Sequence, residues 1–232
     1  MPRLRAAPVT ATSADLRRLR RRGFGLEYFS VAWMIAEATV AVTAGILAGS
    51  VALTGFGLDS LIELASAVIV IWQLRGETLG EDRDTRAVRL VGVTFFALSA
   101  YLTAAGIRDL VAAAKPAVSP AGLAITAAAL LVMPALAVAK RRTGRGLSSR
   151  TLLADSAETA FCAWTSAAAL LGVALNAALG WWQADPVAGL VIAALAVREG
   201  LEAWEDGDED ADGLRQARPR RPDRLRHRRP GH

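Results

Sequence analysis

Gly55-Phe56-Gly57-Leu58-Asp59-Ser60-Leu61-Ile62-Glu63 sets two carboxylates inside an apolar segment that spans residues 51–72. A run of that length crosses a bilayer as one helix. Asp59 and Glu63 are four positions apart, so on a helix they are offset by roughly 40° and about 6 Å along the axis. They share a face. An ionised carboxylate in hydrocarbon is costly unless it meets a cavity or a partner. Two of them on one face point to a site for a cation.

The surrounding chain supports a membrane setting. Of its 232 residues, 53% are hydrophobic, yet both ends are strongly polar. The charges gather in the tails and between apolar runs, as in a polytopic helical membrane protein. The runs are rich in Ala, Val and Leu and lack alternation of period two, which argues against a transmembrane barrel. The net charge of +5 comes mainly from arginines near membrane ends and reads as topology and lipid contact rather than nucleic-acid binding. The sole cysteine, Cys162, excludes an intrachain disulfide. The polar N-terminus lacks a cleavable signal peptide, so the first membrane helix is expected to do the targeting. There is no nucleotide motif, in keeping with a secondary transporter rather than an enzyme.

The expected fold is all-α, with six transmembrane helices and both termini cytoplasmic. Residues 1–26 form a basic cytoplasmic arm carrying Arg17, Arg18, Arg20, Arg21 and Arg22. Its juxtamembrane position favours an anionic-lipid anchor over a DNA-binding arm. Residues 27–204 form the transmembrane domain, with helices over 27–48, 51–72, 90–111, 120–139, 151–179 and 185–204. Gly49-Ser50 makes a tight hairpin of the first two. Residues 75–89 form a polar loop, and Lys140, Arg141, Arg142, Arg145 and Arg150 a basic one. Ser119-Pro120 and Asp185-Pro186 read as an N-cap followed by proline at the first helical position. Trp181 and Trp182 suit a headgroup-level turn. Residues 205–232 form an acidic, then arginine- and proline-rich tail that can build no core and is expected to be disordered. The N-arm, the second and fourth loops and the tail are arginine-rich, whereas the other three connections carry little positive charge. That asymmetry sets the topology.

The fifth helix mirrors the second: Leu152-Leu153-Ala154-Asp155-Ser156-Ala157-Glu158-Thr159-Ala160-Phe161-Cys162 places Glu158 and Cys162 four apart. If the two helices pack antiparallel, both pairs meet near the middle of the membrane. Three carboxylates and a thiolate suit tetrahedral Zn²⁺, and also Cd²⁺ or Co²⁺. Mg²⁺ or Ca²⁺ would want more oxygens and no sulfur. Asp155 and Glu37 are weaker, accessory candidates. Glu37 serves either as a proton carrier or as polar glue between helices. Buried cysteine is commonly a small hydrophobe, and that reading of Cys162 stands beside ligation. His227 and His232, in the tail, are at most weak metal binders.

This constellation resembles the cation diffusion facilitators, six-helix exporters that exchange a divalent cation for protons. By the resemblance, the metal ligands are Asp59 and Glu63 on the second helix and Glu158 and Cys162 on the fifth. Ala154-Asp155, Asp185-Pro186 and Arg198-Glu199-Gly200 also match the family's pattern. The resemblance spans roughly residues 28–204. It implies a multi-pass protein of the cytoplasmic membrane, with the lipid bilayer, a divalent metal ion and protons as partners, no cofactor beyond the transported ion, and a homodimer. Two departures stand out. Members commonly carry histidine and aspartate where this chain has Glu158 and Cys162. The family's folded C-terminal domain has no counterpart in the polar tail. The alternatives are a non-transporting membrane partner protein with the same fold, or an exporter of Co²⁺, Cd²⁺, Fe²⁺ or Mn²⁺.

Overall fold

The computed structural model describes residues 13–74 and 81–217. The described chain is entirely helical and loop, in the order α1 Ser13–Ala48, α2 Val51–Leu74, α3 Glu81–Val111, α4 Pro120–Leu147, α5 Arg150–Leu179 and α6 Ala184–Ala217. Residues 1–12, 75–80 and 218–232 lie outside the described residues, and with them most of the loop expected after the second helix and both tail histidines.

All six expected helices form, and several run further than the apolar segments alone imply. α1 begins at Ser13, inside the expected arm. α3 begins at Glu81, in the expected polar loop. α4 continues to Leu147 through most of the expected basic loop, and α6 to Ala217 through stretch 205–217, which had been expected to be disordered. Arg, Lys, Glu, Leu and Ala are good helix formers, which accounts for the extension of α1 and α4 into their charged flanks; stretch 205–217 is helical although it carries Gly207, Gly213 and four aspartates. α4 passes Pro134 without ending, and it stops where Ser148 takes the left-handed conformation (φ 51°) and its N–H caps the Arg145 and Gly144 carbonyls.

Among the described residues, α1 to α5 each contain a segment long and apolar enough to cross a membrane. α6 is apolar over residues 186–197 and carries Arg198, Glu199 and Glu202 directly after them. The outer surface is apolar, unlike that of a water-soluble bundle, and several charged side chains lie inside. Leu131, Trp164, Leu171 and Leu47 are more than half exposed, whereas Glu27, Glu37, Asp59, Glu63, Lys140, Asp155 and Asp185 are buried. Apolar side chains outward and polar ones inward is the pattern that lipid imposes. The chain is a polytopic all-α membrane protein.

α1 packs on α2, α4 on α5, α1 on α4 and α2 on α5, closing a four-helix ring. α3 and α6 form a tight pair that docks on the ring through α2 and α5. Small residues set these approaches, as expected for helices in lipid. A Cβ on Gly45 would fall 2.6 Å from the Thr54 backbone nitrogen, and one on Gly57 would fall 2.8 Å from that of Val42. Gly92 and Gly200 bring α3 and α6 together in the same way, with 3.2 Å from a Gly92 Cβ to the Gly200 carbonyl.

The three weakly charged connections meet at one end of the bundle. Ala117 N–H donates to the Ala48 carbonyl at 2.8 Å, and Asn176 donates to the Pro116 carbonyl at 3.0 Å. Asp185 crosses from α6 to the start of α2. It accepts from the Val51 N–H at 2.9 Å and from the Ser50 hydroxyl, while Ser50 Oγ accepts from the Leu53 N–H at 3.1 Å. Asp185 is thus a cap, but for α2 rather than for the helix it opens. Its negative charge sits at the positive end of the α2 dipole.

Candidate metal and proton site between the second and fifth helices

Asp59 lies eight residues into α2, about 12 Å from its start at 1.5 Å per residue. α5 runs antiparallel beside α2 and brings Cys162 between the two carboxylates. The Cys162 thiol donates to Glu63 Oε2 and lies 3.6 Å from Asp59 Oδ2. Asp59, Glu63 and Cys162 are all buried. Phe56 and Ala52 of α2, Leu98 and Leu102 of α3, Ala169 of α5 and Ile192 of α6 are buried in the same core. Three of the four expected ligands are therefore in direct contact across α2 and α5.

Thr165, one turn beyond Cys162, was not anticipated from the sequence. Its hydroxyl donates to Asp59 Oδ2 at 2.9 Å and is itself buried. It fixes the carboxylate plane toward the thiol. Glu63 Oε1, by contrast, is buried with no hydrogen-bond partner among the described residues. That oxygen is a free acceptor at the centre of the cluster.

Glu158 is half-buried and one turn nearer the start of α5. It reaches Ser66 of α2, and its electrostatic neighbours are Asp155, Glu199 and Lys140. Its Oε2 is buried with no hydrogen-bond partner among the described residues. It extends the line of acids toward the end of the bundle that holds the basic α4–α5 connection. Among the described residues, no three His, Cys, Asp or Glu side chains stand as a preformed metal cage. What is assembled is a carboxylate–thiol–carboxylate contact.

Glu37 of α1 adds a further buried acid. Trp33 Nε1 donates to its Oε2 at 2.5 Å, and Ser60 of α2 donates to its Oε1 at 2.6 Å. Ser60 sits between Asp59 and Leu61 in sequence, so Glu37 faces α2 beside the site without touching the thiol. Both its oxygens are satisfied, the arrangement of interhelical polar glue.

Asp155 turns away from the site toward α4. Its Oδ2 lies 2.6 Å from Lys140 Nζ, which also lies 3.3 Å from Glu27 Oε2 and donates to Thr159 at 3.2 Å. Lys140 is fully buried, which corrects its assignment to the basic loop. The helical stripe Met133, Leu136, Ala137, Lys140, Thr143 and Gly144 is buried as one face of α4. That spacing of three and four was the signal available in the sequence. The neighbouring Arg141 and Arg142, both exposed, masked it.

A groove of about 460 Å³ between α1 and α4, lined by Thr43, Leu47, Val118 and Pro120 among others, lies at the turn end of the bundle, away from these acids. Its walls are largely apolar and belong to the lipid-facing surface.

The sequence profile described as the cation efflux transmembrane domain matches residues 87–206, just over half of the chain. The match includes Lys140, Asp155, Glu158, Cys162 and Asp185; Asp59 and Glu63 precede it. Transmembrane protein 163 of Xenopus laevis is 25% identical over 138 residues, 59% of this chain and 49% of the relative. An uncharacterized transporter of Synechocystis sp. is 27% identical over 153 residues, 62% of this chain and 49% of the relative. The chain spans about half the length of the curated relatives it matches.

Proposed function

Because the chain belongs to the cation efflux family, the cation diffusion facilitators, we propose that it exports a divalent cation, Zn²⁺ first, in exchange for protons. The observation that carries this reading is the buried contact of Cys162 with Asp59 and Glu63 across two antiparallel helices. Carboxylate and thiolate oxygen–sulfur donors suit Zn²⁺, Cd²⁺ and Co²⁺ over Mg²⁺ or Ca²⁺.

The proton on Cys162 is the chemical basis of exchange. A thiol binds a metal as thiolate, so cation binding must release that proton. The returning proton restores the thiol–carboxylate hydrogen bond and weakens the hold on the metal. Asp59, oriented by Thr165, and Glu63, with its free oxygen, supply the remaining donors. Glu158 completes the set when α5 shifts by part of a turn toward the pair. Asp155 and Glu37 act as accessory acids on either side. Topology follows the arginines: both termini and the α4–α5 connection face the cytoplasm of the cell membrane. The ion enters from that side, and the protein works as a homodimer.

The test is uptake into proteoliposomes with an acidic lumen. Zn²⁺ should accumulate with the intact protein and be lost in Asp59→Asn and Glu63→Gln. Flux retained in both variants would refute the site. No flux of Zn²⁺, Cd²⁺, Co²⁺, Fe²⁺ or Mn²⁺ by the intact protein would favour a non-transporting partner with the same fold.

A further inference from the structure

Lys140 is the buried cation among the described residues, and it is held at the junction of three helices. Its ammonium lies 3.3 Å from Glu27 Oε2 on α1 and 2.6 Å from Asp155 Oδ2 on α5, and it donates to Thr159. The three charged side chains are 0–1% exposed. Glu27 Oε1 and Asp155 Oδ1 have no hydrogen-bond partner among the described residues. The Glu27 and Asp155 carboxyls are also within hydrogen-bond reach of each other, and with both ionised the pair would carry one negative charge more than the ammonium offsets, a costly state for a buried cluster. A divalent ion in place of the ammonium would neutralise the pair, and the two unpartnered oxygens are free to serve it.

The position fits a path. Asp155 lies one turn before Glu158 on α5, and Glu63 is within electrostatic range of the ammonium. The cluster lies toward the basic α4–α5 connection, because Lys140 is two turns from the end of α4 and Asp155 is in the second turn of α5. Lysine is also the suitable residue for a movable counter-charge, a point charge on a flexible four-carbon stem. It can turn toward Glu63 when displaced.

We propose that Glu27 and Asp155 form a second cation station on the cytoplasmic side of the Asp59–Glu63–Cys162 site, and that Lys140 is its resident tethered cation, displaced by the arriving divalent ion. The station rests on the export reading for its purpose but not for its test. Because the ammonium competes for the same oxygens, the intact protein holds the ion there only in passing. Removing the ammonium turns a transit station into a binding site.

Equilibrium dialysis of the purified full chain against Co²⁺ measures this directly. The intact protein and Lys140→Arg should each hold one Co²⁺. Lys140→Gln should hold two, and Lys140→Gln combined with Asp155→Asn should return to one. If the intact protein holds none, the export site fails on its own terms, and the station then predicts one Co²⁺ in Lys140→Gln alone. Equal stoichiometry in Lys140→Gln and the intact protein would overturn the proposal. So would a Lys140→Gln protein that folds only when Glu27 or Asp155 is also neutralised, and not when produced with excess Co²⁺. Lys140 would then be a fixed structural counter-ion.

Discussion

At the scale of single residues, the proposed site would set a proton and a metal in competition for one sulfur. Cys162 donates to Glu63 with Asp59 alongside, and Thr165 holds Asp59 in place from the next turn of α5. A hydrogen bond to a charged group contributes about 1.5 kcal/mol or more. Thr165→Val should therefore weaken Zn²⁺ affinity roughly tenfold, with Thr165→Ser restoring it. Isothermal titration reads both, and unchanged affinity in the valine variant would deny Thr165 its orienting role. The acids and the thiol were legible because intramembrane charge is rare and the spacing of four repeats on two helices. Thr165 was not. A mid-helix hydroxyl in an apolar run ordinarily bonds its own backbone, as the Ser166 hydroxyl does with the Cys162 carbonyl at 2.6 Å; the Thr165 hydroxyl lies 3.1 Å from the same carbonyl but reaches Asp59 as well. Only the register of α5 against α2 tells the two apart.

At the scale of elements, the helices are joined by a few contacts that composition does not reveal. Asp185 caps the start of α2 from the start of α6. Removing a buried acceptor leaves donors unsatisfied at a cost of about 1–3 kcal/mol, so Asp185→Ala should lower the thermal unfolding midpoint in detergent and loosen α2. The Asp-Pro signature was readable as a cap, but its object was not, because the acceptor's partners lie far away in the chain. Gly57 shows the same limit. Small residues are expected where helices in lipid pack closely, and the structure names the neighbour of Gly57 as the Val42 backbone. Gly57→Val should separate α1 from α2, destabilising the bundle by about 1–3 kcal/mol; an unchanged melting profile would contradict that contact. Helix ends were the least legible feature. Charged flanks such as 81–89 and 140–147 are good helix formers, and apolarity marks where a helix is buried rather than where it stops.

At the scale of the whole molecule, six helices were legible from apolar runs and breakers, and their arrangement was not. The ring of α1, α2, α4 and α5 with α3 and α6 docked beside it follows from small-residue faces that must be matched in three dimensions. The ring encloses two polar centres, one built on a thiol and one on an ammonium. In a Cys162→Ala background, single cysteines at Lys115 and Gln183 should label from outside intact cells and one at Arg145 should not. The reverse pattern would invert the topology. The central claim is that α2 and α5 hold the transported metal through Asp59, Glu63 and the Cys162 sulfur. It is tested most directly by the absorption spectrum of the purified protein titrated with Co²⁺. The account predicts a thiolate-to-cobalt charge-transfer band that saturates at one equivalent, disappears in Cys162→Ser, and fails to form in Asp59→Asn. Tight Co²⁺ binding with no such band, or a band that survives Asp59→Asn, would contradict it.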